Sequence, residues 1–255
     1  MRTSNKNKMH ILTIKEIESL KKRKYRKNHN KYLIEGKRII QSATDWNGEI
    51  QFVFCTDSFF EKNIDWEVFQ NIDRSRLKII SEQEFKKISS TTTPAGIAAV
   101  CHIKKQKKVN FNKNKWVYLD NIRDPGNLGT IFRSAAWFGI NNIALSPNSS
   151  DPYNPKTIRS SMGAHFAINI HYDIKLEKFI GTHQLISASV KGENLSTFIF
   201  PKKLVLVFGN EAHGISSKNQ RIIDDFVSIN SFGYGESLNV ASAATVFMYA
   251  MSLKN

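Results

Sequence analysis

Three polar, glycine-bearing segments in the second half of the chain hold the side chains best suited to chemistry. The first runs Asp120-Asn121-Ile122-Arg123-Asp124-Pro125-Gly126-Asn127-Leu128-Gly129 and leads to Arg133. The second is Gly209-Asn210-Glu211-Ala212-His213-Gly214-Ile215-Ser216, and the third covers residues 230–239. Each follows a short apolar run of strand character: WVYLD, LVLVF and FVSI. In parallel α/β sheets, ligands bind outside the carboxyl ends of the strands, so three such loops can meet in one crevice. Their glycines permit positive φ and close backbone approach. Asparagine brings a donor and an acceptor, glutamate an acceptor, and arginine a fork of donors. One such loop alone would be an ordinary βα turn.

The crevice is not of a common nucleotide-binding kind. Gly233 and Gly235 begin a G-x-G pattern near a helix, but Leu238 stands where the last glycine of a dinucleotide fingerprint belongs. Gly209 and Gly214 have the glycine spacing of a phosphate loop, but Ile215-Ser216 replaces its Lys-Ser/Thr. Neither H-E-x-x-H nor G-x-S-x-G occurs, and no metal site is expected. His213 is a weaker candidate proton carrier.

The elements that must position these loops alternate. From residue 116, WVYLD, NNIALS, AINI, QLISASV, LVLVFG and FVSI read as six strands. Helical segments are expected at Asn127–Phe138, Asn154–Met162, Ser216–Ile222 and Ser237–Leu253, with Ser237 at an N-cap position. This pattern predicts a mostly parallel sheet covered on both faces. The apolar run Ser237–Leu253 is read as a helix of the core or of a subunit interface rather than a membrane span, which needs about 20 mostly apolar residues.

A second α/β domain precedes it. Strands are expected at Tyr32–Gly36, Ile50–Cys55, Leu77–Ile80 and Ile97–Ile103, with a helix over Lys37–Ala43. Ser81 followed by Glu84 has the form of a capping box and starts a helix through Ile88. Lys104–Lys115 is polar, lysine-rich and without apolar periodicity, and serves as the linker between residues 1–103 and 116–255.

The 255 residues carry 37 basic against 22 acidic side chains, a net charge of +15. Such a surplus attracts polyanions, nucleic acid first. The densest basic cluster is Lys21, Lys22, Arg23, Lys24, Arg26 and Lys27, with Tyr25 among them, after an amphipathic run marked by Ile11, Ile14, Ile17 and Leu20. It reads either as a phosphate-binding RNA contact or as a solvated helix end. The start, MRTSNKNKMH, lacks the apolar core of a secretory signal. Cys55 and Cys101 read as buried thiols of a reducing cytoplasm.

The three loops resemble, in order and spacing, the motifs of the SpoU branch of the SPOUT RNA methyltransferases. N-x-G-x-x-x-R is present as Asn127, Gly129 and Arg133. The strand ending in Gly-Asn-Glu is present as Gly209-Asn210-Glu211, with Gly214-Ile215 following. Glu-Ser-Leu-Asn-Val is present as Glu236-Ser237-Leu238-Asn239-Val240, although the usual Ile-Pro at the head of that motif is Ile229-Asn230 here. Ile34-Glu35-Gly36 and Thr93-Pro94-Ala95-Gly96-Ile97-Ala98 also resemble the RNA-binding domain that often precedes it.

The resemblance implies an α/β domain with a deep trefoil knot, a homodimer whose active site draws on both chains, and S-adenosyl-L-methionine as methyl donor. It implies transfer to a ribose 2′-hydroxyl of structured RNA, ribosomal RNA before transfer RNA. Gly209, Ile229 and Leu238 match the cofactor-holding positions. Arg133 matches the central catalytic position, supported by Asn127, Glu211, Ser237 and Asn239. Glu211 is expected either to pair with Arg133 or to bond amides of its own loop. A guanidinium is a poor base, its pKa lying above about 12, so Arg133 acts either with a depressed pKa or by stabilising alkoxide and phosphate charge. Two other readings stay open: a SPOUT enzyme that methylates a base, and a non-catalytic RNA-binding module on the same fold.

Overall fold

The computed structural model describes residues 12–253. The opening segment MRTSNKNKMH and Ile11 lie outside the described residues. The described chain divides into two compact units, the first ending at Ile103 and the second beginning at Lys104.

In the first unit, Thr13 and Glu16 form a capping box that starts helix α1 (Ile14–Ser19), and α2 (Arg23–His29) follows after a turn. Strand β1 (Lys31–Glu35), helix α3 (Lys37–Asp45), β2 (Ile50–Cys55), α4 (Asp57–Lys62), α5 (Glu67–Asn71), β3 (Leu77–Ile79), α6 (Glu82–Ile88) and β4 (Ile97–His102) complete it. The sheet order is β1-β4-β2-β3, with β4 antiparallel to both its neighbours and β3 parallel to β2. Ile17, Leu20, Phe52, Phe54, Phe85 and Val100 fill one core. The capping box at Ser81 and Glu84 is formed. The carboxylate of Glu35 accepts from Ser89 Oγ at 2.6 Å, Ser90 N at 2.9 Å and Ser90 Oγ at 2.6 Å. That clip fixes the start of the Ser89–Gly96 loop. Helix α5 was not expected, since its five residues are too few to show a period.

One member of the basic cluster departs from the expectation of a phosphate contact. Arg26 is buried, and its guanidinium donates to Leu20 O at 2.7 Å and Lys21 O at 2.8 Å. These carbonyls close the end of α1 and have no partner within the helix. Arg26 therefore holds the α1–α2 turn, while Lys22, Arg23, Lys24 and Lys27 are exposed. Lys21 is half-buried and donates to Lys87 O.

The second unit carries β5 (Lys115–Leu119), α7 (Pro125–Trp137), β6 (Asn142–Leu145), α8 (Pro155–Ser161), β7 (Asn169–His171), β8 (Gln184–Asn194), β9 (Leu204–Phe208), α9 (Ser217–Gln220), β10 (Asp225–Ser228) and α10 (Val240–Leu253). All six strands pair in parallel, in the order β10-β8-β9-β5-β6-β7. Alternate residues of β5 face two cores. Val117 and Leu119 pack with Ile131 and Phe132 of α7 and Phe247 of α10. Trp116 and Tyr118 pack with Leu176, Phe179, Ile222 and Ile223. Burial on both faces explains why these strands are continuously apolar rather than alternating. No helix among the described residues is long and apolar enough to cross a membrane. Helix α10 starts at Val240, three residues later than expected, and buries one face while leaving Val246, Tyr249 and Leu253 exposed.

Candidate active site at the carboxyl ends of the parallel strands

The first loop leaves β5 through Asp120, which is buried. Its amide donates to Phe208 O at 2.8 Å, and its carboxylate accepts from Ser216 N at 2.8 Å, tying the first loop to the second. Asn121 takes φ 59°, a left-handed conformation that asparagine tolerates better than most residues. Asp124 then caps α7, accepting from Gly126 N at 2.7 Å, with Pro125 in the first turn. The Lys156 ammonium, 2.8 Å away, and the Gly126 amide hold the Asp124 carboxyl below its ordinary value. Gly129 is a packing residue. A Cβ there would stand 2.4 Å from Thr157 O and 2.6 Å from Ser160 Cβ, so glycine is what lets α7 lie against α8.

The second loop folds back on itself. Asn210 and Gly214 exchange two backbone hydrogen bonds of 2.8 Å, and Asn210 Oδ1 accepts from Ala212 N and His213 N. Asn210 Nδ2 donates to Asn121 O at 3.1 Å. A Cβ on Gly209 would meet Gly214 C at 2.2 Å and Ile215 N at 2.3 Å. Gly209 thus makes room for its own loop, whereas the sequence suggested room for a ligand. The turn leaves Glu211 and His213 exposed at its tip.

The third loop reaches the other two through one residue. Asn239 Oδ1 accepts from Ala241 N at 2.9 Å and Ser242 N at 3.4 Å, so Asn239 caps α10 and Ser237 does not. The carboxamide of Asn239 also donates to Asn127 Oδ1 at 3.1 Å, and Asn127 Nδ2 donates to Glu211 Oε1 at 2.6 Å. A single chain of hydrogen bonds, Asn239–Asn127–Glu211, therefore joins residues from all three loops. Each asparagine donates through Nδ2 and accepts through Oδ1 at once, which an ionised carboxylate cannot do.

Not every expected residue joins this chain. Arg133 is exposed and makes no hydrogen bond or ion pair among the described residues, so the pairing with Glu211 is not formed. Six residues along α7 place Arg133 about 9 Å up the axis and about 120° around it from Asn127. It shares a face with Thr130 and Trp137 instead, and Trp137 is 83 % exposed. Ser237 is exposed, Ile229 is half-buried against the core, and Leu238 is 54 % exposed. Asp120, Asn121 and Asn210 were not singled out from the sequence, although all three organise the loops. A charged residue ending the apolar run WVYLD was the available signal for Asp120.

S-adenosylmethionine needs an apolar wall for the purine, backbone groups for its edge, and no fixed cation beside the sulfonium. Residues 229–239 offer the half-buried Ile229, the exposed Leu238 and main chain unengaged in regular structure, with Glu236 as the one charged side chain. Asn121 Oδ1 is a buried acceptor with no donor among the described residues. The donor set fits such a group.

This fold, with its loops joined at one end of a parallel sheet, is that of the SPOUT methyltransferases. A crystal structure of an AdoMet-bound rRNA methyltransferase from Sinorhizobium meliloti superposes with a TM-score of 0.77 at 26% identity, covering 98% of this chain and 96% of that one. The SpoU methyltransferase AviRb from Streptomyces viridochromogenes, in complex with AdoMet, shares the fold with a TM-score of 0.83 at 22% identity, covering 96% and 98%. Among curated relatives, the 23S rRNA (guanosine(2553)-2′-O)-methyltransferase RlmP of Bacillus subtilis is 30% identical over 241 residues, 92% of this chain and 94% of its own. Residues 12–99 match the MRM3-like substrate binding domain model. Residues 114–249 match the SpoU rRNA Methylase family model, more than half of the chain, and the protein belongs to that family.

Proposed function

We propose that the protein transfers the methyl group of S-adenosylmethionine to a ribose 2′-hydroxyl of ribosomal RNA. The observation that carries this is the hydrogen-bonded chain Asn239–Asn127–Glu211, which joins the three motif loops at one end of the parallel sheet. Ile229, Leu238 and the main chain from Gly209 onward would hold the cofactor. The cofactor supplies an activated methyl on a sulfonium, so the chain's own task is to orient and to stabilise charge. Holding the ribose oxygen in line behind the methyl carbon removes several kcal/mol of entropic barrier, in the range of about 7–11 kcal/mol for ideal alignment. Arg133 donates to the 2′-oxygen as charge develops on it, and to a neighbouring phosphate; the hydroxyl proton leaves to that phosphate or to water.

Arg133 is exposed and lies about 120° around α7 from its own Asn127, and this supports a homodimer in which Arg133 serves the partner's loops. The face it occupies continues into exposed apolar side chains: Trp137 on α7, and Val246, Tyr249 and Leu253 on α10. Ser134 and Thr245, 2.7 Å apart, lock the two helices together beneath it. The reading includes a trefoil knot. In the strand order β10-β8-β9-β5 the chain leaving β9 passes β8 before forming β10. Residues 1–103 would bind the RNA substrate, with Lys22, Arg23, Lys24 and Lys27 as phosphate contacts, 104–115 would link, and 116–255 would carry the chemistry. Cys55 and Cys101 are both buried and neither is in a disulfide, which supports a cytoplasmic setting.

The test is incubation of the protein with isotopically labelled S-adenosylmethionine and unmodified ribosomal RNA, followed by nuclease digestion and mass analysis. A labelled 2′-O-methyl nucleoside is the expected product. A labelled methyl on a base would favour the base-methylating reading, and no cofactor binding by calorimetry would favour the scaffold reading.

A further inference from the structure

The loop between β10 and α10 carries two aromatic rings with nothing against them. Phe232 is 96 % exposed and Tyr234 is 108 % exposed, the most exposed large apolar side chains among the described residues. Burying an aromatic ring is worth far more than leaving it in water, so two bare rings two residues apart need an occupant. They lie on a loop, whereas the exposed Trp137, Val246, Tyr249 and Leu253 sit on helices α7 and α10. Here glycines separate and flank the rings. A Cβ at Gly233 or Gly235 would meet nothing within 4 Å, and Gly235 has φ +123°. At 96 % and 108 % exposure both faces of each ring are open, as a stacking partner requires. The same loop supplies Asn239 to the hydrogen-bonded chain of the active site.

We propose that Phe232 and Tyr234 stack on unpaired RNA bases beside the nucleotide to be methylated. Sequence-specific RNA recognition targets unstacked bases in loops and bulges, and aromatic side chains are their usual platforms. The charge pattern selects this mode over phosphate binding. Residues 230–239 contain no lysine or arginine and one acid, Glu236, in a chain whose net charge is +15. Phosphate attraction is supplied elsewhere, and this loop contributes planar surface. The inference rests on the RNA-methylating reading of the site and names a substrate contact for it.

The experiment compares full-length wild-type protein with Phe232→Ala, Tyr234→Ala, the double variant and Tyr234→Trp. The probes are ribosomal RNA lacking the modification and a fluorescent oligoadenylate of about ten nucleotides. Stacking is worth about 1–3 kcal/mol per base, so each alanine should weaken RNA affinity about 5- to 150-fold. The loss should fall on KM rather than kcat, and Tyr234→Trp should restore binding. The slope of log affinity against log salt should stay unchanged, because no phosphate contact is removed. Cofactor affinity by calorimetry and subunit stoichiometry by light scattering should also hold. RNA affinity of the double variant equal to wild type would overturn the proposal. So would a shift to monomer, which would assign the rings to a subunit interface, or a loss confined to cofactor affinity. If the wild type binds RNA but transfers no methyl group, the methylating reading fails while the affinity comparison still decides the role of the rings. A wild type that binds neither probe would end both.

Discussion

Replacing Gly209 with alanine should damage the site in a way the structure lets one estimate. The added Cβ would lie 2.2 Å from Gly214 C, 2.3 Å from Ile215 N and 2.4 Å from Gly214 O. Ordinary contact begins at about 3.5 Å, so the shortfall exceeds 1 Å against three main-chain atoms that no rotamer change can move. Overpacking costs about 1–3 kcal/mol, and a clash with backbone belongs at the upper end, about 3 kcal/mol. For a unit of this size that corresponds to a fall in Tm of roughly 6–12 °C in the transition of the C-terminal unit. The Asn210–Gly214 turn must shift, carrying Glu211 off Asn127, so affinity for S-adenosylmethionine should fall about tenfold or more, 1.4 kcal/mol. Gly233→Ala, which meets nothing within 4 Å, is the control for stability alone and should change Tm by less than about 2 °C. Scanning calorimetry and cofactor titration read both quantities. A Gly209→Ala variant with the control's Tm and wild-type cofactor affinity would refute the reasoning from close approach.

Asn127→Ala should leave Glu211 and Asn239 unbridged; transfer should fall by about tenfold or more with a change in Tm of only a few degrees, and a fully active variant would remove the bridge from the mechanism. Neutralising Lys22, Arg23, Lys24 and Lys27 together should weaken RNA binding and flatten its salt slope, whereas Arg26→Ala should lower stability by about 2 kcal/mol by leaving two helix-end carbonyls without their donor. An unchanged salt slope would return the cluster to a solvated helix end. Stability should also fall in mild acid. Burial pushes the imidazole of His165 down to about 3 from an ordinary 6.5, and burial lowers His171 and His183 as well. The fold favours neutral His165, so its contribution is intact above pH 6.5 and is lost as pH falls from there towards 3. For His165 alone, unfolding free energy should drop by about 1.4 kcal/mol between pH 7.5 and 5.5. Chemical denaturation across that range reads it, and a His165→Gln variant with the same slope would contradict the assignment.

What could be read from the sequence divides along a physical line. The parallel strands were legible because burial on both faces leaves runs such as LVLVF without polar interruption. The Ser81 helix was legible because a capping box is local. The start of α10 was misread because Ser237 and Asn239 are both good caps two residues apart. Only the tertiary bond from Asn239 to Asn127 decides between them. Sequence order gave the three loops a common edge of the sheet. It did not show that Asn127 links residues 84 and 112 positions away, nor that Arg133 lies off the line they form. Those facts depend on helix phase and loop closure. Gly129 and Gly209 could be marked as glycines, but the reason lies in main chain brought up against them by packing. Arg26 was hidden among five other cations because composition does not reveal which member of a charge run turns inward.

The most direct measurement is a map of 2′-O-methyl sites in ribosomal RNA from the host with and without this protein. One ribose methylation should vanish when the protein is removed, return with the wild-type chain, and stay absent with Arg133→Ala while that variant keeps most of its RNA affinity. An unchanged ribose map, or restoration by Arg133→Ala at the wild-type level, would contradict the assignment of this crevice to ribose methylation centred on Arg133.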